Sequence, residues 1–342
     1  MGGYQQKKEK MTQPLRLTQS TELLDLTLIA TPSSDNSNSQ EIQLAVEGQF
    51  RPQVFSLGEG QVKYGLTGGI LQFHLQEAYF SSFSEEIKNY LPVIKFPSAD
   101  HPTWKFALGA GADILETTLD GIPLGTITTT SPNWSLEATY TVGESDILIT
   151  EIDGLWRHDL RPNKQAVLNR KIVLFLLESQ CQSPLISFEM NEKTQGGVLS
   201  PVEPIPADAK ELLATLEAIK NASSHNFLEL CQIANLNPQL DFAGANLRGT
   251  TLRGLDLNRA HWSRVNLRGA DLTDADLSES NLQGAKLSGA DLSGAYLSNA
   301  NLKEADFHRA SLALANLSGA KLQGANLEET NLSQTNLNDC QF

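Results

Sequence analysis

Residues 281–320, written in blocks of five, read NLQGA KLSGA DLSGA YLSNA NLKEA DFHRA SLALA NLSGA. The second residue of every block is large and apolar, and the fifth is Ala. Working outward, every fifth residue from Phe242 to Phe342 is apolar without a break, twenty-one positions of which seventeen are Leu. Phe242, Trp262, Phe307 and Phe342 are the exceptions. A smaller series lies two residues before each centre and is mostly Ala, from Ala245 to Ala325, while Asn or Asp dominates immediately before the centre, as in Asn246, Asp271, Asn301 and Asn331.

A period of five matches neither the helical 3.6 nor the strand period of two, so the chain must turn at every repeat and bury one large and one small side chain. These residues resemble the pentapeptide-repeat family, with its A-[DN]-L-x-x pattern, over roughly residues 240–342. The resemblance implies a right-handed, four-sided β-helix, four repeats to a coil, with Phe242, Leu247, Trp262, Leu282, Leu302, Phe307, Leu322 and Phe342 among its interior residues. At about 4.8 Å between stacked strands, slightly over five coils give a rod on the order of 25 Å long. Residues twenty apart then share a column, and Phe242, Trp262, Leu282, Leu302, Leu322 and Phe342 form one with its aromatic members at the two ends, where they are expected to fill the terminal coils. Larger residues replace Ala early, at Leu240, Leu255 and Val265, and polar ones replace it late, at Thr330, Thr335 and Cys340.

A solenoid end exposes apolar interior and unpaired backbone, and so needs a cap. Residues 207–238 supply one for the N-terminal end. A helix over 208–220 opens with Asp208 and Glu211 in capping-box spacing, and a second runs from about Asn226 to Asn235 before Pro238. Phe227, Leu228, Leu230, Cys231, Ile233 and Leu236 are expected to cover the first coil. No comparable segment follows Phe342, so that end is expected to be covered by a second copy, by a partner, or by its own last residues.

Upstream, residues 192–206, with Gly196, Gly197, Pro201, Pro204 and Pro206, read as an extended linker, and residues 1–13 as a disordered tail. Between them, residues 14–191 alternate in short runs, among them Ile42–Val46, Ile114–Leu119, Gly125–Thr129, Ser135–Val142 and Ile147–Ile152. Asp120-Gly121-Ile122-Pro123 and Ser131-Pro132-Asn133 read as turns. With a short helix at Ser84–Leu91 and a longer one around Ala166–Leu177, the expected fold is mainly β, a β-sandwich or an α+β domain.

The net charge of −14 and pI near 4.9 argue against nucleic acid or an anionic membrane as partner, which would require clustered Lys and Arg. No apolar run approaches the length of a membrane span, the opening residues lack a secretory apolar core, and Gln6 breaks the myristoylation pattern that Gly2 begins. Cys181, Cys231 and Cys340 are far apart and form no C-x-x-C pair, which fits a reducing cytoplasm.

No motif of known catalytic chemistry is present, and no cofactor or metal is expected. Trp156, Arg157, His158 and Asp159, followed by Asn163 and Lys164, form a polar-aromatic cluster at a strand exit that could line a site. Neighbours on an extended chain point oppositely, however, so His158 and Asp159 are poorly placed to act as base and orienter. His101, Pro102 and Trp104 read as a packed turn. On the rod, Arg248, Arg253 and Arg268 belong to a basic patch on the early coils, Tyr296 and Leu314 occupy outward positions that form a small apolar patch, and both patches, like Trp156, Arg157 and His158, are candidate partner-binding surfaces.

The expected function is a non-enzymatic scaffold or adaptor binding an unidentified protein, with dimerisation through the C-terminal coils. Two alternatives stand beside it. Some pentapeptide-repeat proteins resemble B-form DNA and occupy the DNA site of a type II topoisomerase; here residues 241–342 carry twelve acidic against nine basic residues, and the early coils are basic, which disfavours DNA mimicry. The other alternative is a ligand-binding or catalytic upstream domain with the rod as its stalk.

Overall fold

A computed structural model of the chain describes residues 14–33, 40–84, 93–96, 102–107, 118–131, 133–156, 160–181, 184–191 and 209–342. The chain forms two compact units. The first takes Met1–Gln53, Tyr64–Asp146 and Gln180–Ile205; the second takes Val54–Lys63, Ile147–Ser179 and Pro206–Phe342. The tail 1–13, all but Ser84 of the helix expected at Ser84–Leu91, His101, Asp159, the whole linker 192–206 and the capping residue Asp208 lie outside the described residues.

Among the described residues thirteen strands are formed, in chain order β1 (Leu15–Ser20), β2 (Leu24–Pro32), β3 (Gln40–Phe50), β4 (Gln53–Leu57), β5 (Gly60–Leu66), β6 (Gly68–Gln76), β7 (Ala78–Phe83), β8 (Val93–Phe96), β9 (Thr103–Ala107), β10 (Thr118–Thr129), β11 (Ser135–Thr141), β12 (Ile147–Asp153) and β13 (Ile186–Asn191). The first unit holds two five-stranded sheets, ordered β1-β2-β3-β10-β7 and β13-β11-β6-β9-β8, and the pairings within both are antiparallel. The period-two alternation expected of half-buried strands is direct: Leu24, Leu26, Leu28 and Ala30 of β2 face inward, as do Ile42, Leu44 and Val46 of β3. Rings from both sheets meet in this core, Phe80 of β7 standing 5.9 Å from Phe73 of β6 and 5.4 Å from Trp104 of β9. Trp104 therefore belongs to a strand core and not to a turn.

Asp120-Gly121-Ile122-Pro123 is also not a hairpin turn. It lies inside β10, where the register against β3 shifts between Leu119 and Ile122 and again between Pro123 and Gly125. Gly and Pro mark bulges as readily as turns, and here the extra residues bend a long strand without reversing it. Gly125 shows why that site rejects a side chain: its φ is +151°, and a Cβ there would stand 2.3 Å from the Ser82 carbonyl oxygen.

A three-stranded sheet is ordered β12-β5-β4, and its strand β12 belongs wholly to the second unit. Helix α1 (Pro162–Gln180) extends the sequence expectation by one turn in front, α2 spans Ala209–Asn221 and α3 spans Phe227–Ala234. Asn226 caps α3 by accepting from the amides of Leu228 and Glu229, and Asn235 closes it in the left-handed conformation.

From Asp241 onward the chain coils. Parallel bridges join residues twenty apart, such as Asn246 with Asn266 and Asp271 with Asp291, so four repeats make one coil. Every repeat turns in the same way: the amide three residues after the centre donates to the centre's carbonyl, as Ala270 does to Leu267 at 3.0 Å. The second residue after the centre has positive φ in each case, the signature of a type II turn. This explains the frequency of Gly there, and also why Arg259, Asp274, Asn299 and Leu314 sit in the left-handed region. The Asn and Asp series has its own cause. These side chains accept from the amide two residues on, as Asp276 does from Ser278 at 2.9 Å, and the Asn members bond from coil to coil, as Asn301 does to Asn281 at 3.0 Å.

The interior series is fully buried from Phe242 to Leu322, none of it more than 3% exposed. Leu327, Leu332 and Leu337 are half-buried, and Phe342 is 70% exposed. The expectation of Phe342 as an interior, end-filling residue is thus corrected: an inward side chain is covered by the coils on both sides, and among the described residues no coil stacks beyond the last one. The polar residues of that coil are accommodated by bonds to the coil before it. Thr330 and Thr335 donate their hydroxyls to the carbonyls of Phe307 and Leu312 at 2.8 and 2.7 Å.

Candidate interaction surfaces of the rod and its cap

Within the rod, the residue before each centre makes two backbone bonds to the coil before it. Asp271, for example, donates its N–H to Thr250 and accepts from Leu252. Thr251 lies on the first coil, where that preceding coil is missing. A side-chain amide takes its place: Asn163 Oδ1 accepts from the Thr251 N–H at 2.9 Å, and Asn163 Nδ2 donates to the Thr251 carbonyl at 3.0 Å. The same Nδ2 donates to the His225 carbonyl at 3.0 Å. Arg170, one to two turns further along α1, donates to the Ala243 carbonyl at 3.1 Å. Lys164 closes the end of α2 by donating to the carbonyls of Lys220 and Ala222 at 3.0 and 2.6 Å. All three side chains are buried, and each bond saves a backbone group from being buried unpaired.

The cap covers the first coil as the sequence indicates. Phe227 packs tilted against Phe242 at 5.0 Å and edge-on to Trp262 at 6.3 Å, and the Trp262 indole N–H donates to the Pro238 carbonyl at 2.8 Å. Leu230, Cys231, Ala234 and Leu236 are buried with them, but Ile233 and Leu240 are 41% and 49% exposed and do not join the cover. The 3.6-residue period turns Ile233 away from the face that carries Phe227, Leu230 and Ala234.

Asn163 and Lys164 thus belong to the cap rather than to a polar site with their neighbours. Trp156 is half-buried, whereas Arg157 and His158 lie outside the described residues. Of the early arginines, Arg253 pairs with Asp274 at 3.6 Å and Arg259 with Glu279 at 2.9 Å, so the patch is partly neutralised one coil on. Arg248 is exposed and Arg268 half-buried, on the same face of successive coils. Arg268 acts on Asp306: burial raises that carboxyl, but hydrogen bonds from Ser288, the His308 amide and Asn326, with the Arg268 charge, hold it below the ordinary carboxylate range. Tyr296 and Leu314 are 53% and 63% exposed, as their outward positions require.

Sequence reasoning missed a cleft of about 290 Å³ where α1, α3 and the first coil meet, lined by Arg161, Asn163, His225, Asn226, Arg253 and Leu255 among others. Only the three-dimensional fold brings residues 161, 225 and 253 together, and the available signal was that α1 opens on the Arg161-Pro162-Asn163 sequence next to two cap helices. Among the described residues no helix is long and apolar enough to cross a membrane, and no group of three or more His, Cys, Asp or Glu is arranged to hold a metal ion.

Comparison with known proteins agrees with the repeat geometry. Residues 245–284, 280–319 and 310–342 match the family described as pentapeptide repeats, with eight copies, and no family match falls upstream. No curated protein matches the chain. Among solved structures, a pentapeptide repeat protein from the cyanobacterium Cyanothece 51142 is 41% identical, covering 25% of this chain and 58% of its own, with a TM-score of 0.25. One from Nostoc PCC 7120 is also 41% identical, covering 25% and 62%, with a TM-score of 0.21. A third, from the thylakoid lumen of Arabidopsis thaliana, is 28% identical, covering 30% and 69%, with a TM-score of 0.28. The chain therefore spans less than two thirds of the first of these relatives. Bridges every twenty residues, a buried Leu column and the matched repeats make residues 245–342 a pentapeptide-repeat solenoid.

Proposed function

We propose that the chain is a non-enzymatic interaction scaffold whose rod presents a rigid face to a protein partner, with Leu314 and Tyr296 at the contact. The observation that carries this reading is Leu314. It holds φ at +62° and is 63% exposed, so it has both an unfavourable backbone conformation for a bulky residue and an apolar side chain in water. Gly fills the equivalent turn position one coil earlier, at Gly294, and nothing in the rod's packing calls for Leu. Residues kept against local preference are a sign of function, and a preorganised β-helix loses little entropy on binding. The two upstream sheets, read as a β-sandwich, act as a second recognition module, and the protein works in the cytoplasm.

Leu314→Gly is expected to raise the stability of the rod by about 0.5–1 kcal/mol, the relief of left-handed strain exceeding the extra freedom of the unfolded chain. It is also expected to abolish capture of specific partners in affinity purification of the tagged full chain, as is Tyr296→Ala, whereas Arg253→Ala leaves capture intact. Identical partners retained by all variants would remove the contact from this face. The half-buried Leu327, Leu332 and Leu337 are assigned to a second copy of the chain. Light scattering should then show a dimer that Leu332→Lys converts to monomer, and a monomeric wild type would end that assignment.

A further inference from the structure

We propose that the cleft bounded by Arg161, His225 and Arg253 is a binding site for a doubly charged tetrahedral oxyanion, inorganic phosphate or the phosphate of a small phosphomonoester. The inference is independent of the partner surface around Leu314. Three segments far apart in sequence bring two arginines and a histidine to one concavity, and among the described residues none of those lining it is acidic. In a chain of net charge −14, such a concentration runs against the overall field. The volume of about 290 Å³ admits a phosphate with room for a small organic group.

The surroundings favour negative charge further. Helix α1 opens at Arg161-Pro162, so the positive end of its dipole lies at the cleft. Helix α3 also opens beside it, at Phe227, but Asn226 already accepts from its first amides, so the arginines and His225 carry the recognition. Arg253 is held only loosely, 3.6 Å from Asp274 with most of its side chain exposed, and can turn its planar fork to an oxyanion. Desolvation, then the positive charges of Arg161 and Lys164, hold the His225 imidazole below its ordinary range. A bound dianion would oppose those charges and raise it.

The test is titration of the full chain with inorganic phosphate in about 0.15 M salt, near neutral pH, by calorimetry and by NMR of the His225 ring, assigned through His225→Gln. Saturable binding is expected, weakened at least about tenfold in Arg161→Gln and in Arg253→Gln, together with an upward shift of the His225 titration. Glycerol phosphate binding more tightly than phosphate at the same arginines would identify the ligand as a phosphomonoester; equal or weaker binding would identify the free ion. Circular dichroism should show both variants folded, as expected of exposed side chains. No binding by about 10 mM phosphate, the same affinity in both variants, or acetate competing as well as phosphate would each overturn the proposal.

Discussion

Trp262→Ala is expected to destabilise the second unit by about 3–5 kcal/mol, the range for removing a large aromatic from a packed core. The ring is fully buried against Phe227 and Phe242, so both the transfer free energy and the cavity left behind count against the variant. Its indole N–H also satisfies the Pro238 carbonyl, which would be left without that donor. Trp262→Phe separates the two contributions: it restores most of the packing and should lose only about 1 kcal/mol through the missing hydrogen bond, beyond the difference in ring size. In a solenoid each coil contacts only its neighbours, so the damage should stay local. Hydrogen exchange followed by mass spectrometry should show faster exchange across Phe227–Leu267 and little change beyond Leu302. Uniform loosening along the rod would mean that the coils unfold as one cooperative block and that the end-cap account is wrong.

The rod was legible because one physical constraint repeats. A buried Leu every fifth residue leaves no alternative to a coil, and the bridges between residues twenty apart follow from four turns per circuit. What the turns demand was less visible. The position two after the centre holds Gly, Arg, Glu, Gln, Asn, Asp and Leu, and its chemistry is mixed because the backbone, not the side chain, is what repeats there. The cap helices were readable from Asn226 and Pro238, local signals for local structure. Phe342 failed as an interior residue because periodicity cannot say whether a neighbouring coil exists to cover it. In the upstream region, Gly121 and Pro123 carried the usual marks of a turn, but pairing with β3 through Leu119, Ile122 and Pro123 holds that segment in a strand. The anchoring of α1 was hidden most completely. Asn163, Lys164 and Arg170 look like surface residues of a polar helix, and only the backbone groups they meet, far along the chain, explain their burial.

Those contacts support the second large prediction. Asn163→Ala should cost about 2–4 kcal/mol, since the N–H and C=O of Thr251 and the His225 carbonyl all lose the partner that replaces a missing coil. Asn163→Asp, nearly the same shape, should be no better at neutral pH. Its carboxylate could still accept from the Thr251 amide, but its second oxygen would face two carbonyl oxygens at the distance where Nδ2 now donates, about 3.0 Å. Arg161 and His225 along the cleft offset only part of that repulsion, because the carbonyls are in direct contact. Protonation converts the clash into a donor, so the folded state of the variant raises the pKa of the new acid above its unfolded value of about 3.9. A group raised in this way contributes its stability below the unfolded pKa and loses it as pH climbs through the folded pKa. The gap between Asn163→Asp and wild type, read from denaturant midpoints of the second unit, should therefore be small near pH 4 and widen toward neutrality. A gap independent of pH, or an Asp variant as stable as wild type at neutral pH, would show that the amide does not stand in for the missing coil.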